Sequence, residues 1–136
     1  MKLYHLTGDA VYQKLAEETL ECFTETYLNF GFMSAEYAMA VDAFLHEPTM
    51  IRIIGTKESM ETKSFLDEAA RVYEPRKIIQ LLDPETDAKE IADNGFLKQD
   101  STTAYVCVGR VCTAPITDPK LISPTVQKMV SAQIRD

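Results

Sequence analysis

The stretch MIRIIGTKESMETKSFLDEAARVYEPRKIIQLLD, residues 50–83, changes period twice. Its two ends, MIRIIG at 50–55 and KIIQLLD at 77–83, are short apolar runs rich in β-branched isoleucine. The middle, from Thr56 to about Tyr73, carries helix-forming residues until Pro75 ends it. Two apolar runs joined by a helix of this length read as a βαβ unit, whose parallel strands are covered on both faces and so lose clean alternation.

Working outward toward the C-terminus, Asp83-Pro84 opens a short helical segment that finishes at Asn94-Gly95. A polar loop at 98–102 is expected to be mobile. TTAYVCV and VCTAPI then form two strands around Gly109-Arg110, a pair that suits a type II′ turn with glycine supplying the positive φ. Thr117-Asp118-Pro119 starts a helix with proline at its first position. Pro124 should break a single long helix, leaving a short turn and then a helix capped by Ser123, with Val126, Met129, Val130 and Ile134 inward.

Toward the N-terminus, Tyr12, Leu15, Ala16, Leu20, Phe23, Tyr27 and Phe30 recur at three- and four-residue spacing, the stripe of one amphipathic helix from Asp9 to about Phe30. Asp9 caps its start and Gly31 suits a left-handed stop. Ser34 caps a second helix with the stripe Tyr37, Ala38, Val41, Phe44 and Leu45, closed by Pro48. The expected fold is α/β in one domain, 1–136: a helical hairpin at 1–47 followed by a small mixed four-stranded sheet with flanking helices at 48–136. After the hairpin the order is βαβ-α-ββ-α, a thioredoxin-like arrangement.

The composition fits that reading. A chain of 136 residues, 46% hydrophobic and 26% charged, can bury a core without disulfides or metals. No apolar run approaches the roughly 20 residues of a membrane span, and MKLYHLTGD lacks a signal-peptide core, so a cytoplasmic location without a membrane partner is expected. Twenty-one acidic against fourteen basic residues give a net charge of −7, which disfavours nucleic acid as a partner.

Three cysteines are too few and too unevenly placed for a secreted disulfide framework. In a two-residue hairpin Cys107 falls opposite Cys112 at a non-hydrogen-bonded position, with Cα atoms about 4.5 Å apart, within reach of a disulfide near the short end of the range. The pair lacks C-x-x-C spacing and an obvious helix N-terminus to make a thiolate. A packed reduced pair ranks ahead of a disulfide, and a disulfide ahead of metal ligation. His5 and His46 flank the helices but lack a third ligand, and no metal or cofactor is expected. Cys22, beside the first stripe, reads as a partly covered structural thiol. Glu17, Glu18, Glu21 and Glu25 read as a solvated face rather than an acid–base pair. Thr56 and Thr117 head helices without a glycine-rich phosphate loop.

Three stretches, LTGDAVYQKLAEETLECF, AEYAMAVDAFLHEPTMIRIIG and AYVCVGRVCTAPITDP, resemble the C-terminal end of the spermatogenesis-associated, thioredoxin-domain-containing protein family. The resemblance implies that residues 9–45 correspond to the last hairpin of a six-hairpin, glycosidase-like α/α barrel and that the rest forms an adjoining α/β region. The family's N-terminal thioredoxin-like domain and most of its barrel have no counterpart here, so no catalytic residue carries over. Pro124 departs from the continuous last helix the resemblance implies.

The leading expectation is a non-catalytic structural or interaction module. It would associate with itself or with a separately encoded barrel or thioredoxin-like chain. Tyr12, Phe23, Tyr27, Phe30, Tyr37 and Phe44 are the candidate oligomer interface, being more aromatic surface than one small sheet covers. The alternatives are a thiol–disulfide redox protein using Cys107 and Cys112, and part of a split carbohydrate-processing enzyme.

Overall fold

The computed structural model describes residues 1–96 and 100–133. The expected loop at 98–102 falls partly outside them, and the expected inward Ile134 wholly so. Two compact units divide the chain, Met1–Glu47 and Pro48–Asp136.

The first unit is helical: α1 (Lys2–Thr7), α2 (Ala10–Phe23) and α3 (Ser34–Leu45). Helix α1 was not foreseen, being too short for its periodicity to register. Asp9 caps α2 as expected, its Oδ1 accepting from the Val11 N–H at 2.9 Å. The helix expected to reach Phe30 stops at Phe23, and a tight 3₁₀ segment, Tyr27–Met33, continues the chain with a kink at Gly31. Gly31 has φ 58 and ψ −125, a conformation open to glycine rather than the left-handed stop anticipated. Ser34 is the first residue of α3 and not its cap; its hydroxyl donates to the Gly31 carbonyl at 2.6 Å.

The second unit is α/β, with the βαβ-α-ββ-α order read from the sequence. Strands β1 (Thr49–Ile54), β2 (Lys77–Leu82), β3 (Thr103–Val108) and β4 (Val111–Cys112) lie in the order β2-β1-β3-β4. β1 and β2 are parallel, and β3 is antiparallel to β1 and β4. Helices α4 (Met60–Arg71), α5 (Ala88–Asp93) and α6 (Ile122–Gln133) complete it.

Helix α4 buries Thr62, Phe65 and Ala69, a three- and four-residue stripe, and begins at Ser59, whose Oγ accepts from the Glu61 N–H. Thr56 therefore heads a turn and not the helix. At the other end the Lys77 ammonium donates to the carbonyls of Ala69, Ala70 and Val72, satisfying acceptors the helix leaves open.

Phe65 and Ala69 pack with Ile51, Ile53, Ala104 and Val106 on one sheet face, joined by Ile122 and Val126 of α6. Each such fully buried large side chain contributes roughly 1.5–3 kcal/mol. Met129 and Val130 pack against this core from α6, as their spacing predicted. Pro124 does not break α6: it sits in the first turn, where its missing N–H has no intrahelical acceptor to lose. The break lies earlier, in the 3₁₀ turn Pro119–Leu121, which Asp118 caps through the Lys120 N–H.

Candidate functional site

The β3–β4 hairpin is built as its sequence dictates. Gly109 has φ 56, and no residue other than glycine has positive φ among those described, so the turn is type II′ rather than I′. That turn pairs Val108 with Val111 and sets Cys107 opposite Cys112. Beyond them the Thr113 N–H donates to the Val106 carbonyl at 3.0 Å, and the Thr113 hydroxyl accepts from the Val106 N–H at 3.2 Å. Ala104 and Ile116 then exchange both backbone bonds at 2.9 and 2.8 Å. Ala114 and Pro115 together oppose the single Tyr105, a bulge that places proline where no N–H is needed.

Cys107 and Cys112 are joined in a disulfide, with Cα atoms 4.0 Å apart. This corrects the expectation of a packed reduced pair. That expectation rested on cysteine's preference for the interior, which holds for only one of the two. Cys107 is 1% exposed on a central strand buried on both faces, whereas Cys112 is exposed on a two-residue edge strand.

The bond also lies at the wrong end of the sheet for helix-assisted thiol chemistry. Cys107 pairs with Met50 near the start of β1, while α4 follows the end of that strand. Five residues of strand, roughly 16 Å, separate the two.

The helical unit offers a different kind of surface. No residue of α1, α2, the 3₁₀ segment or α3 is buried. A groove of about 600 Å³ runs over Leu3, Tyr12, Leu15, Leu20 and Ala40. A second, about 370 Å³, is lined by Leu20, Phe23, Tyr27, Phe30, Tyr37 and Ala40.

The six aromatic residues singled out from the sequence fall here in different ways. Tyr27 stacks on Tyr37 at 4.9 Å, and Phe23 meets Phe30 edge-on at 6.1 Å. Tyr37 also donates its hydroxyl to the Leu20 carbonyl at 3.1 Å, tying α3 to α2. Tyr12 and Phe44 are half-buried and enter neither pair. The sequence stripe missed Phe32, 91% exposed, and Leu28, 74% exposed, because both lie in the 3₁₀ segment where helical periodicity no longer applies.

Cys22 is a free, exposed thiol and not the partly covered one expected, since the stripe beside it on α2 is itself uncovered, with Leu15 53% and Phe23 42% exposed. Glu17, Glu18, Glu21 and Glu25 are all exposed. His46 contacts Asp42 at 3.0 Å on α3. His5 lies half-buried on α1 with Nε2 buried and unpartnered; burial pushes its imidazole pKa down, Glu47 pulls it up and the N-terminal amine pushes it down. No group of three or more His, Cys, Asp or Glu side chains that could hold a metal ion occurs among the described residues.

A polar stack on the second sheet face was not legible in advance. Arg52, inside the apolar run MIRIIG, donates from Nε to Gln80 Oε1 at 3.0 Å, and Gln80 donates to Glu90 at 2.7 Å. Its guanidinium lies 5.6 Å from the centre of the Phe96 ring, which in turn rests 4.5 Å from Tyr105. Burial lowers the Arg52 pKa, and Glu90 opposes the shift. At the far end of β2, Asp83 accepts from the N–H groups of Lys57 and Glu85 at 3.1 and 3.0 Å, linking the turns that follow β1 and β2.

No family model matches the chain. It is similar to spermatogenesis-associated protein 20 of Homo sapiens, 28% identical over an alignment 133 residues long that covers 91% of this chain and 17% of the relative. The proteins of the same name from Rattus norvegicus and Mus musculus are 26% and 24% identical over alignments 124 residues long that cover 88% of this chain and 16% of each relative. The likeness is a partial match to that family, and the chain spans about a sixth of the length of these relatives. No helix among the described residues is long and apolar enough to cross a membrane.

Proposed function

We propose that the chain is a non-catalytic protein-interaction module whose helical unit, Met1–Glu47, docks through its apolar grooves onto a second copy of itself or onto a separately encoded remainder of a longer architecture. One observation carries the reading. A unit of three helices that buries none of its residues, while leaving Leu3, Val11, Leu15, Phe30, Met33 and Met39 about half exposed or more, keeps its apolar surface for something else. The partial match to relatives about six times longer supports the second arrangement.

Light scattering at micromolar concentration is expected to give a dimer or larger. Ala40 lines both grooves and is exposed, so Ala40→Glu adds a charge to the contact without disturbing a core. This variant is expected to shift the species to monomer. A wild-type monomer that binds no hydrophobic dye would overturn the proposal, whereas a dye-binding monomer would point to the separately encoded partner.

Catalysis by the disulfide has weaker support. The hairpin places neither a helix N-terminus nor a second thiol pair beside it, and the third cysteine, Cys22, belongs to the other compact unit.

A further inference from the structure

We infer that the Cys107–Cys112 disulfide is a built site for exchange with a thiol from outside the chain, in which Cys112 is the sulfur attacked and Cys107 the resolving thiol that restores the bond. The two ends of the bond differ in access. Cys107 is 1% exposed on β3, opposite Met50 and with β1 and β4 on either side. Cys112 is exposed on β4, the last strand of the sheet, whose outer edge pairs with nothing among the described residues.

Thiol–disulfide exchange is an in-line displacement, so the incoming sulfur must approach the attacked atom from the side opposite the sulfur that leaves. Approach to Cys112 comes from the open edge. Approach to Cys107 would have to come through the packed sheet.

The step balances without a further reagent. An external thiolate forms a new S–S bond to Cys112 Sγ, the Cys107–Cys112 bond breaks, and the Cys107 sulfur departs with the electron pair and takes up a proton. A second external thiol then attacks the outer sulfur of the mixed disulfide. It releases Cys112 as a thiol, and two external thiols have become one external disulfide while the protein disulfide has become a dithiol. At the mixed-disulfide stage Cys107, held with its Cα 4.0 Å from that of Cys112, can instead attack Cys112 Sγ and close the bond again by the reverse displacement, which expels the external thiolate.

The hairpin survives the opening. Its type II′ turn, the two Thr113–Val106 bonds and the double Ala104–Ile116 bond lie on either side of the disulfide and do not depend on it. Exchange is therefore a local event at the sheet edge, and the interaction surface proposed above is independent of it.

The test uses the full chain carrying Cys22→Ser, which removes the one other exposed thiol. Reduced glutathione is added without denaturant, the reaction is quenched with acid, and the adduct is located by peptide mass spectrometry. The adduct is expected on Cys112, with Cys107 recovered as the free thiol, at a ratio of tenfold or more. In the same background Cys107→Ser should react with oxidised glutathione at least tenfold faster than Cys112→Ser. An adduct on Cys107, equal rates for the two variants, or exchange seen only under denaturing conditions would overturn the assignment. The mapping on the disulfide-bonded chain decides the question even if a single-cysteine variant folds poorly.

Discussion

Replacing Gly55 with alanine tests the packing that joins β1, α4 and the segment entering β3. A Cβ built at Gly55 would stand 2.5 Å from Thr62 Oγ1, 2.8 Å from Thr102 Oγ1 and 2.9 Å from Thr102 Cγ2. Gly55 does not have positive φ, so the backbone tolerates alanine and the cost is steric. Overpacking of this kind costs about 1–3 kcal/mol. The two threonine hydroxyls hydrogen-bond to each other at 3.1 Å, with Thr62 0% and Thr102 5% exposed. Forcing them apart orphans a buried hydroxyl, which costs about 1–3 kcal/mol again. The expected loss is about 3 kcal/mol, a large share of the roughly 5–15 kcal/mol that holds a domain.

Because the chain has no tryptophan, urea unfolding is best followed by circular dichroism, with hydrogen exchange of the β1 and β3 amides reporting on the α/β unit. Thr62→Ala removes the nearest obstructing atom. Combined with Gly55→Ala it should recover part of the loss, so that the double variant is less destabilised than the sum of the singles. A loss under about 0.5 kcal/mol, or strict additivity, would refute the reasoning.

Two further outcomes follow from the α/β unit. The N–H groups of Glu85 and then Lys57 hold the Asp83 carboxyl below its usual pKa, with burial opposing and the Lys57 charge assisting. Its stabilisation is fully present above the unfolded carboxylate pKa of about 4 and is lost as pH falls through the lower folded value. Acid titration of stability should therefore show a steeper loss below about pH 4 in the wild type than in Asp83→Asn, and parallel curves would remove the claim. Replacing Cys107 and Cys112 together with serine should cost about 2 kcal/mol in thermal or urea unfolding, the entropy of so short a loop, and leave the oligomeric state by light scattering unchanged.

The α/β class was written into the chain because two local signals agree. The apolar runs at 50–55 and 77–83 show no alternation, as strands covered on both faces require, and the segment between them carries a three- and four-residue stripe. Gly109-Arg110 likewise fixed the register that sets Cys107 against Cys112, since a two-residue turn leaves no choice of pairing. Element ends were less legible. Pro124 reads as a breaker from its chemistry, yet a proline in a first turn breaks nothing, and only the neighbouring 3₁₀ turn reveals that it stands there. The stripe through Phe30 continues on paper after the helix has stopped at Phe23, because periodicity counts side chains and not backbone hydrogen bonds.

What the sequence determined by itself was local: periods, turn chemistry, the charge of −7 and the opposition of two cysteines across a hairpin. What only the tertiary structure decided was exposure. It put Cys107 on a central strand and Cys112 on an edge, left Cys22 in solvent, drew Arg52 into a stack with Phe96, and left the helical unit without a buried residue. Local pattern specifies which residues share a face. Whether that face is covered depends on segments distant in the chain, and no local period encodes them.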